Sequence, residues 1–533
     1  VSCLDALNGR LYVSYRQRDS IAVNSAKSGK VLKAWEVPSP GRLVARGKNE
    51  ALVLSEGRVL RVSGGKVEPF ISTRLDDPRG IAADGDGQIY VTNRGELQNV
   101  SVFAADGKYL RSIGKRGGRP RVGRYDSSGM LQAGGCAIGP GGRLWVAEDL
   151  DGPRRVSVWD TETGKNSDEF FGASAYSAFA WMDPEKPDEV YCHNVLWKVD
   201  LDEGTKRPHA TLWRPNGPNS PPEPMHSFQY KLRVITADNG HQYAWGKINH
   251  AHPAYLFIRR GDRFVPLLGF IQVNKRSKFV PYPPYPMMDD MDEYPRGHYL
   301  WVDQNDDQAL QKAEISPIER KFSFEWMDRD LNLYSASGHI HHPRRVKDDG
   351  TPVYDFRDTE KVSLEKGRGI WVDPNDGSLY TKMYKYNRDG EMLWGVPGSA
   401  PRWHKFLSWP GPYPGDLWGL TCPLGVAGNF TGSATYFGHM HILTRDGIYV
   451  SMLMDPPPGQ GLSPQNLLCE LFCGQLVKPR GMDRYFLLGG DQDGRIMEVH
   501  GLNSVKYLDG GTYEVTESMV EKTRKAWQEY ERR

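Results

Sequence analysis

The sequence lacks the features that define several large classes of protein. No stretch approaches eighteen consecutive apolar residues, so no transmembrane helix is expected. No run of five or more basic residues occurs, and 68 Lys+Arg nearly balance 66 Asp+Glu for a net charge of +2. A nucleic-acid-binding protein normally carries a concentrated basic surface. Nucleic acid is therefore not expected among the partners.

Common catalytic and metal-binding motifs are also missing. The chain has no G-x-S-x-G, no Walker A loop and no H-E-x-x-H, so serine hydrolase, nucleotide-binding and gluzincin functions lack their usual support. Its six cysteines include no CxxC pair. We expect the one close pair, Cys469 and Cys473, to be buried thiols or a local disulfide rather than metal ligands.

The first residues carry neither an initiator methionine nor a signal peptide. We interpret the chain as a mature or trimmed form, and we expect a secreted or periplasmic protein whose export signal is absent from this sequence. The sequence does not indicate an oligomeric state.

What the sequence has in abundance is short, self-similar strand patterns. RGIAADGDGQIYVTN at 79–93 contains two apolar runs joined by an Asp-Gly turn, and related patterns return at 134–165, 368–394 and 480–499. About ten such candidate units occur, and none shows the periodicity of a helical solenoid. Four-stranded antiparallel sheets repeated at about forty to fifty residues are typical of a β-propeller.

These patterns predict an all-β chain that forms a single β-propeller of about seven or eight four-stranded blades over residues 1–513. Two segments interrupt the repeat, at about 215–225 and 276–316, and we expect them to be insertion loops. Residues 514–533 are highly charged and predict a short C-terminal helix.

The repeats resemble those of a known family. RGIAADGDGQIYVTN and GGCAIGPGGRLWVAED are similar to NHL-type propeller repeats, and SAKSGKVLKAW resembles a segment of quinoprotein propellers. The NHL resemblance implies the propeller fold. Propellers of this kind include lyases, hydrolases and binding modules, so the function must be argued from the site.

Histidines recur at related positions of the repeat. Residues two apart on a strand point to the same side, so each H-x-H pair presents two imidazoles together. We expect these pairs to lie in the connection between the second and third strands of a blade. That connection is on the same side of the ring as the entry to the first strand. One further histidine precedes a first strand, and the ring mouth is where propeller ligands usually bind. The residues are the pairs His250/His252, His339/His341 and His439/His441, and the single His226.

Such a site would hold a divalent transition metal or supply neutral imidazoles for acid/base chemistry. The alternative for each histidine is a structural hydrogen bond to loop backbone. The catalytic candidates are His226, His339, His341, His439, His441, Tyr243, Tyr436 and Arg344. The substrate-binding candidates are His241, His250, His252, Arg79, Arg368 and Arg480. The possible transition-metal ligands are His339, His341, His439 and His441.

A separate motif predicts a structural calcium ion. WVDQNDDQALQKAEI places Asp303, Asn305, Asp307 and Glu314 at the spacing of the oxygen ligands in an EF-hand loop. Gln308 stands where such loops normally have glycine for a sharp turn, which lowers the expected affinity.

The site residues favour a carbohydrate-active enzyme, above all a polysaccharide lyase that cleaves a uronic-acid-containing glycan by β-elimination. That reaction needs a positive group that neutralises the uronate carboxylate, a base that takes the adjacent proton and an acid that protonates the leaving oxygen. Arg or a metal would meet the first need, His the second, and Tyr or His the third. Propeller lyases resemble this arrangement. Three alternatives stay open: a copper or quinone redox enzyme, a non-catalytic binding propeller, and a glycoside hydrolase. The hydrolase would use a carboxylate pair from the acidic segment Asp289, Asp290, Asp292 and Glu293.

Overall fold

A computed structural model describes most of the chain. The described residues are 1–149, 152–172, 180–192, 194–214, 232–247, 254–273, 297–318, 322, 324–364, 370–381, 384–395, 420–435, 440–453, 474–489, 495–507, 516–518, 521–522 and 525. The chain divides into two compact units, Val1–Ser174 and Ala175–Arg533.

The described residues of the first unit form four antiparallel sheets in which each strand pairs with the next. Sheet 1 is β1–β4 (Cys3–Leu7, Arg10–Tyr15, Ser20–Ser25, Val31–Glu36), and sheet 2 is β5–β8 (Pro40–Gly47, Glu50–Ser55, Arg58–Ser63, Lys66–Ile71). Sheet 3 is β9–β12 (Pro78–Ala83, Ile89–Asn93, Val100–Phe103, Tyr109–Ile113). After the short strand β13 (Gly123–Arg124), sheet 4 is β14–β17 (Ala133–Ile138, Arg143–Glu148, Arg155–Asp160, Asn166–Phe171). Two 3₁₀ turns, Arg16–Arg18 and Pro140–Gly142, complete this unit.

The core of the first unit lies between the faces of neighbouring sheets. Strand β6 shows how the sequence produces this packing. Ala51 and Val53 join the apolar cluster shared with sheet 1, whereas Leu52 and Leu54 join the cluster shared with sheet 3. Successive residues of a strand point to opposite faces, so a strand covered on both sides must be apolar without alternation.

The described residues of the second unit form six further sheets of three or more strands and one separate two-stranded hairpin. Sheet 5 is β18–β21 (Ala180–Met182, Glu189–Cys192, Val195–Asp200, Thr205–Thr211), and sheet 6 is β22–β27 (Arg233–Thr236, Gln242–Lys247, Ala254–Arg260, Arg263–Val273, Gly297–Val302, Ile315–Ile318). Sheet 7 is β28–β30 (Phe324–Met327, Leu333–Ser335, His339–His341) with β33 (Glu360–Lys361), and the hairpin β31–β32 (Pro343–Val346, Pro352–Tyr354) precedes that last strand. Sheet 8 is β34–β37 (Trp371–Val372, Leu379–Thr381, Tyr384–Tyr386, Met392–Gly395). Sheet 9 is β38–β41 (Leu420–Ala427, Phe430–Thr435, Met440–Thr444, Tyr449–Leu453), and sheet 10 is β42–β44 (Gln475–Val477, Tyr485–Gly489, Arg495–Val499). The 3₁₀ turns among the described residues of this unit are Lys312–Glu314 and Leu502–Ser504.

The last sheet of the second unit packs against its first. The side chain of Gln475 accepts a hydrogen bond from the backbone N–H of Met182 (2.7 Å) and donates one to its carbonyl (2.8 Å). Val477 and Phe486 of sheet 10 share an apolar cluster with Ala180 and Met182 of sheet 5. This contact between the ends of the unit is what closes a propeller.

The all-β class, the repeated four-stranded sheets and the propeller architecture predicted from the sequence are confirmed. The sequence patterns treat residues 1–513 as one body, whereas the chain packs as two units. The repeat does not change in character at Ser174, so periodicity alone does not mark this boundary.

The two expected insertions differ in outcome. Segment 215–225 lies outside the described residues. Within 276–316, Gly297–Val302 is a strand that extends sheet 6 and pairs with Ile315–Ile318, so a loop was the wrong expectation for this part. Its apolar residues Leu300 and Trp301 are buried in the core, which stabilises the strand.

The described residues of the C-terminal tail include Glu517, Ser518, Glu521, Lys522 and Lys525, all helical and exposed. Among the described residues, no helix has the length and apolar character needed to cross a membrane.

Candidate functional site

A cavity of about 600 Å³ opens at one edge of the sheets of the first unit. We call it the arginine mouth. Every contributing segment either enters the first strand of a sheet or follows the second strand. Because strands alternate in direction, those two places lie on the same edge, as the repeat register predicts. The lining residues are Ser2, Arg16, Ser39, Gly41, Arg42, Leu54, Ser55, Glu56, Gly57, Asp77, Pro78, Arg79, Arg94, Gly134 and Asp149.

The arginines of the mouth differ in how they are held. Arg94 forms an ion pair with Asp149, and Arg79 forms one with Asp77 at 2.9 Å. Arg16 donates from Nε to the Ser39 hydroxyl at 3.2 Å. Arg42, which is exposed, forms no ion pair with any residue that the structure describes.

Glycine makes room for Arg42 on sheet 4. A Cβ atom at Gly135 would lie only 3.1 Å from Nη1 of Arg42, so a larger residue there would force the guanidinium to shift slightly. The four arginines face three lining carboxylates, Glu56, Asp77 and Asp149, which leaves a net charge of +1. Guanidinium groups bind carboxylates through two parallel hydrogen bonds, so the mouth is suited to an anionic ligand.

Arg79 is the predicted substrate-binding residue that the structure places in this mouth. The sequence patterns did not single out Arg16, Arg42, Arg94 or Asp149. Arg42 follows Pro40 at the entry to sheet 2 much as Arg79 follows Pro78 at the entry to sheet 3, so aligning these two entries would have found it.

The first described histidine pair lies within a strand rather than in a connection. His339 and His341 belong to β30, the third strand of sheet 7, which corrects the predicted position. Ile340, between them, is buried in the apolar core of this unit, and this anchors the segment in the sheet.

His341 is packed as a core residue. Its ring lies edge-on to Phe322 and Phe356, with centroids 4.7 and 4.9 Å away, and its Nδ1 is 3.0 Å from the Asp358 carbonyl. Burial lowers the pKa of His341, which favours the neutral imidazole. With Nδ1–H donating to that carbonyl, the side chain has the contacts of a structural histidine.

The other described histidines do not assemble into a metal centre. His441 is fully buried in β40 with its Nδ1 3.3 Å from the Tyr449 hydroxyl, and His339 is partly exposed with its Nδ1 2.9 Å from the Ser337 hydroxyl. His241 is also partly exposed. Within the described ranges, no metal-sized group of three His, Cys, Asp or Glu ligands includes a histidine.

The remaining described candidates make structural contacts. Tyr243 is fully buried, and its hydroxyl donates to the Gly350 carbonyl while accepting from Asn239 Nδ2 at 2.7 Å. Burial raises the pKa of Tyr243, so its phenol stays protonated. Arg344 pairs with Asp355 at 2.5 Å.

Arg480 pairs with Glu185 at 2.7 Å, and its backbone N–H donates to the Pro184 carbonyl. It therefore helps to join the last sheet of the second unit to the first. Several other predicted residues lie outside the described ranges: His226, His250, His252, Asp289, Asp290, Asp292, Glu293, Arg368, Tyr436, His439, Cys469 and Cys473.

The predicted calcium loop lies between β26 and β27. One carboxylate oxygen from each of Asp303, Asp307 and Glu314 lies within 4.8 Å of the others. Glu314 is buried and accepts hydrogen bonds from the Gln304 backbone (2.8 Å) and from Trp301 Nε1 (3.0 Å). These bonds hold its carboxylate in a fixed position at the end of the loop.

Asp303 carries an unsatisfied acceptor. Its Oδ2 accepts from the Gln308 N–H at 3.0 Å, whereas its Oδ1 is buried without a hydrogen bond from a described residue. Burial, and then the charges of Glu314, Asp306 and Asp307, raise the pKa of Asp303. A bound cation would relieve both effects.

Gln308 adopts the left-handed conformation, with φ of 61°, that glycine would provide at this position. The presence of glutamine instead of glycine therefore does not prevent the sharp turn.

Comparison with protein-family models and with curated proteins found no match. Among solved structures, a chain titled "YCF48 bound to D1 peptide" is 9% identical, with a TM-score of 0.24, and the match covers 46% of this chain and 74% of that one. Similarity at this level supports no argument about function. The propeller architecture is taken from the sheets themselves.

Proposed function

We propose that the protein is a carbohydrate-active protein whose first unit binds a uronic-acid-containing glycan in the arginine mouth. The observation that carries the proposal is the convergence of four arginines from three successive sheets on one cavity. Two of them, Arg16 and Arg42, have no ion-pair partner among the described residues.

The composition of the mouth matches such a ligand. A uronate presents one carboxylate per sugar together with several hydroxyl groups. Arg42 is available for the carboxylate, while the Ser39 hydroxyl and the paired Asp149 offer partners for sugar hydroxyls. The carboxylates in the lining disfavour a ligand as highly charged as a polyphosphate.

Cleavage by β-elimination is the reaction proposed for the bound glycan. Arginine would neutralise the uronate carboxylate and so acidify the adjacent C–H, which is the first requirement of this reaction. The elimination also needs a base to take the proton next to the carboxylate and an acid to protonate the oxygen that leaves when the C–O bond breaks, and the described lining contains no histidine or tyrosine for either role. Binding and cleavage are therefore separate parts of the proposal, and absorbance of the unsaturated product tests cleavage alone.

Replacing Arg42 by Gln tests the binding. Loss of a charge-assisted hydrogen bond costs about 1.5–3 kcal/mol, so the Kd for the matching uronate trisaccharide should rise about tenfold or more. Isothermal titration calorimetry on the full chain, with galacturonate, mannuronate and glucuronate trisaccharides at low salt, measures this change.

The matched control is Arg121→Gln, which removes the same charge from an exposed arginine of the first unit outside the mouth. It should bind as the unaltered chain does. Equal weakening by both substitutions would mean that only net charge matters, and failure of all three trisaccharides to bind would reject the proposal.

We also propose that residues 303–314 bind a structural calcium ion. The support is the convergence of three carboxylates at the EF-hand spacing, the unsatisfied Oδ1 of Asp303 and the left-handed Gln308. Asp303, Asp307 and Glu314 would hold the ion, and its charge would offset the repulsion among them.

Calcium should raise the melting temperature of the full chain by several degrees, because a ligand at one hundred times its Kd stabilises the folded state by about 2.7 kcal/mol. Asp303→Asn should abolish this rise. Asp306→Asn, an equal loss of charge at a non-ligand position of the same loop, should keep it. Differential scanning calorimetry with calcium and with EDTA measures the shift, and an unchanged melting temperature in the unaltered chain would contradict the proposal.

A further inference from the structure

A second cavity, of about 640 Å³, lies in the second unit between sheets 8 and 9. We call it the Trp394 cleft. In sheets 8 and 9, its residues come from the connection between the first and second strands, and in sheet 9 also from the connection between the third and fourth. Strands β36 and β37 and the segment after sheet 10 supply the others. Those connections lie at the edge opposite to the strand-entry edge. The lining residues are Asp376, Lys385, Leu393, Trp394, Asn429, Arg445, Asp446 and Tyr507.

The Lys385 ammonium group in the cleft makes fewer hydrogen bonds than it can donate. The residue is only 8% exposed, and within 4 Å its Nζ has two polar partners among the described residues, the Arg445 carbonyl at 3.4 Å and Asp376 at 3.7 Å. It also lies over the Tyr380 ring, 5.4 Å from the ring centroid. An ammonium group has three donors, and removing it from water is costly unless they are used. A ligand oxygen in the cleft would satisfy this group.

The charges in the cleft cancel. Asp376 and Asp446 balance Lys385 and Arg445. Arg445 is already committed, because its Nη2 lies 2.5 Å from Asp373 and 2.7 Å from Asp376. Because the described lining residues carry no net charge and Arg445 is already paired with Asp373 and Asp376, they favour a neutral polar ligand over an anion.

Apolar surface lies beside these polar groups. Leu393 is 54% exposed and Tyr507 is 63% exposed, while Trp394 is half-buried with its Nε1 donating to the Arg445 carbonyl at 2.9 Å. That bond fixes the indole ring, and a second bond from the Tyr507 hydroxyl to Asp446 (3.0 Å) fixes the phenol ring. Oriented aromatic rings next to hydroxyl-binding groups are suited to the apolar C–H face and polar rim of a pyranose.

We infer that the Trp394 cleft is a binding subsite for neutral sugar units of a glycan. Lys385, Asp376 and Asn429 would contact the sugar hydroxyls, and Trp394 and Tyr507 would contact the ring. This subsite is independent of the arginine mouth and of the proposed uronate binding.

The test titrates the full chain with three neutral probes, cellohexaose, mannohexaose and xylohexaose, by isothermal titration calorimetry. At least one should bind. Tyr507→Ala should raise its Kd about fivefold, the size expected for one aromatic contact. Tyr507→Phe, which keeps the ring but loses the bond to Asp446 that orients it, should raise the Kd by less than Tyr507→Ala does.

Two further variants distinguish binding in the Trp394 cleft from nonspecific sugar binding and from binding in the arginine mouth. Leu32→Ala, at an exposed apolar residue of the first unit, should bind the neutral probe normally. Arg42→Gln should do the same, so that a failure of the uronate proposal leaves this result intact. Absence of binding by all three neutral probes, or unchanged binding by Tyr507→Ala, would overturn the inference.

Discussion

Replacing Glu148 by Gln should lower the free energy of unfolding of the first unit by about 3–5 kcal/mol, because it removes the shared partner of two buried arginines. The Glu148 carboxylate lies 2.6 Å from Arg155 Nε and 3.2 Å from Arg119 Nε, and all three side chains are at most 1% exposed. It also accepts the Leu131 N–H at 2.8 Å. A neutral amide cannot balance two guanidinium charges, and its NH₂ group would face them as a donor.

Urea denaturation followed by circular dichroism measures this effect as a lower midpoint of the transition. Glu162→Gln, at an exposed glutamate of the same unit, is the matched control and should shift the midpoint little. A midpoint for Glu148→Gln equal to that of the control would show that the buried network contributes nothing to stability.

Gln475→Ala should destabilise the second unit by about 2–5 kcal/mol, because it leaves the buried N–H and carbonyl of Met182 without partners. Gln475 is 2% exposed, and its two bonds join residues separated by 293 positions. They form part of the contact between the first and last sheets. The loss should therefore weaken the contact between sheets 5 and 10 more than it weakens the strand pairing within either sheet.

Amide hydrogen exchange locates this second effect. Protection should fall at Met182 and its neighbours in sheets 5 and 10, and the melting temperature should fall with it. Gln304→Ala, at an exposed glutamine of the same unit, should change neither. Preserved protection at Met182 would contradict a ring-closing role for Gln475.

The sequence predicts those features that depend on neighbouring residues. The Asp-Gly turn and two apolar runs at 79–93 correspond to β9 and β10, and the register of the repeat predicts which edge collects strand entries and second-strand exits. The oxygen spacing from Asp303 to Glu314 likewise marks a loop whose carboxylates converge. All of these signals lie within one blade.

Local sequence patterns do not predict features that depend on contacts between residues far apart in the chain. The H-x-H pattern shows that His339 and His341 share a face of a strand, but Phe322 and Phe356 make His341 a core residue. The pairing of Arg94 with Asp149 depends on how sheet 3 packs on sheet 4. Such side chains acquire their role from packing rather than from spacing.

The most direct measurement of the central claim is a crystal structure of the full chain with the uronate trisaccharide that binds most tightly. Our account predicts a sugar carboxylate within hydrogen-bonding distance of the Arg42 guanidinium, inside the cavity lined by Arg16, Arg79 and Arg94. A trisaccharide bound elsewhere, with the arginine mouth empty at a saturating concentration, would contradict it.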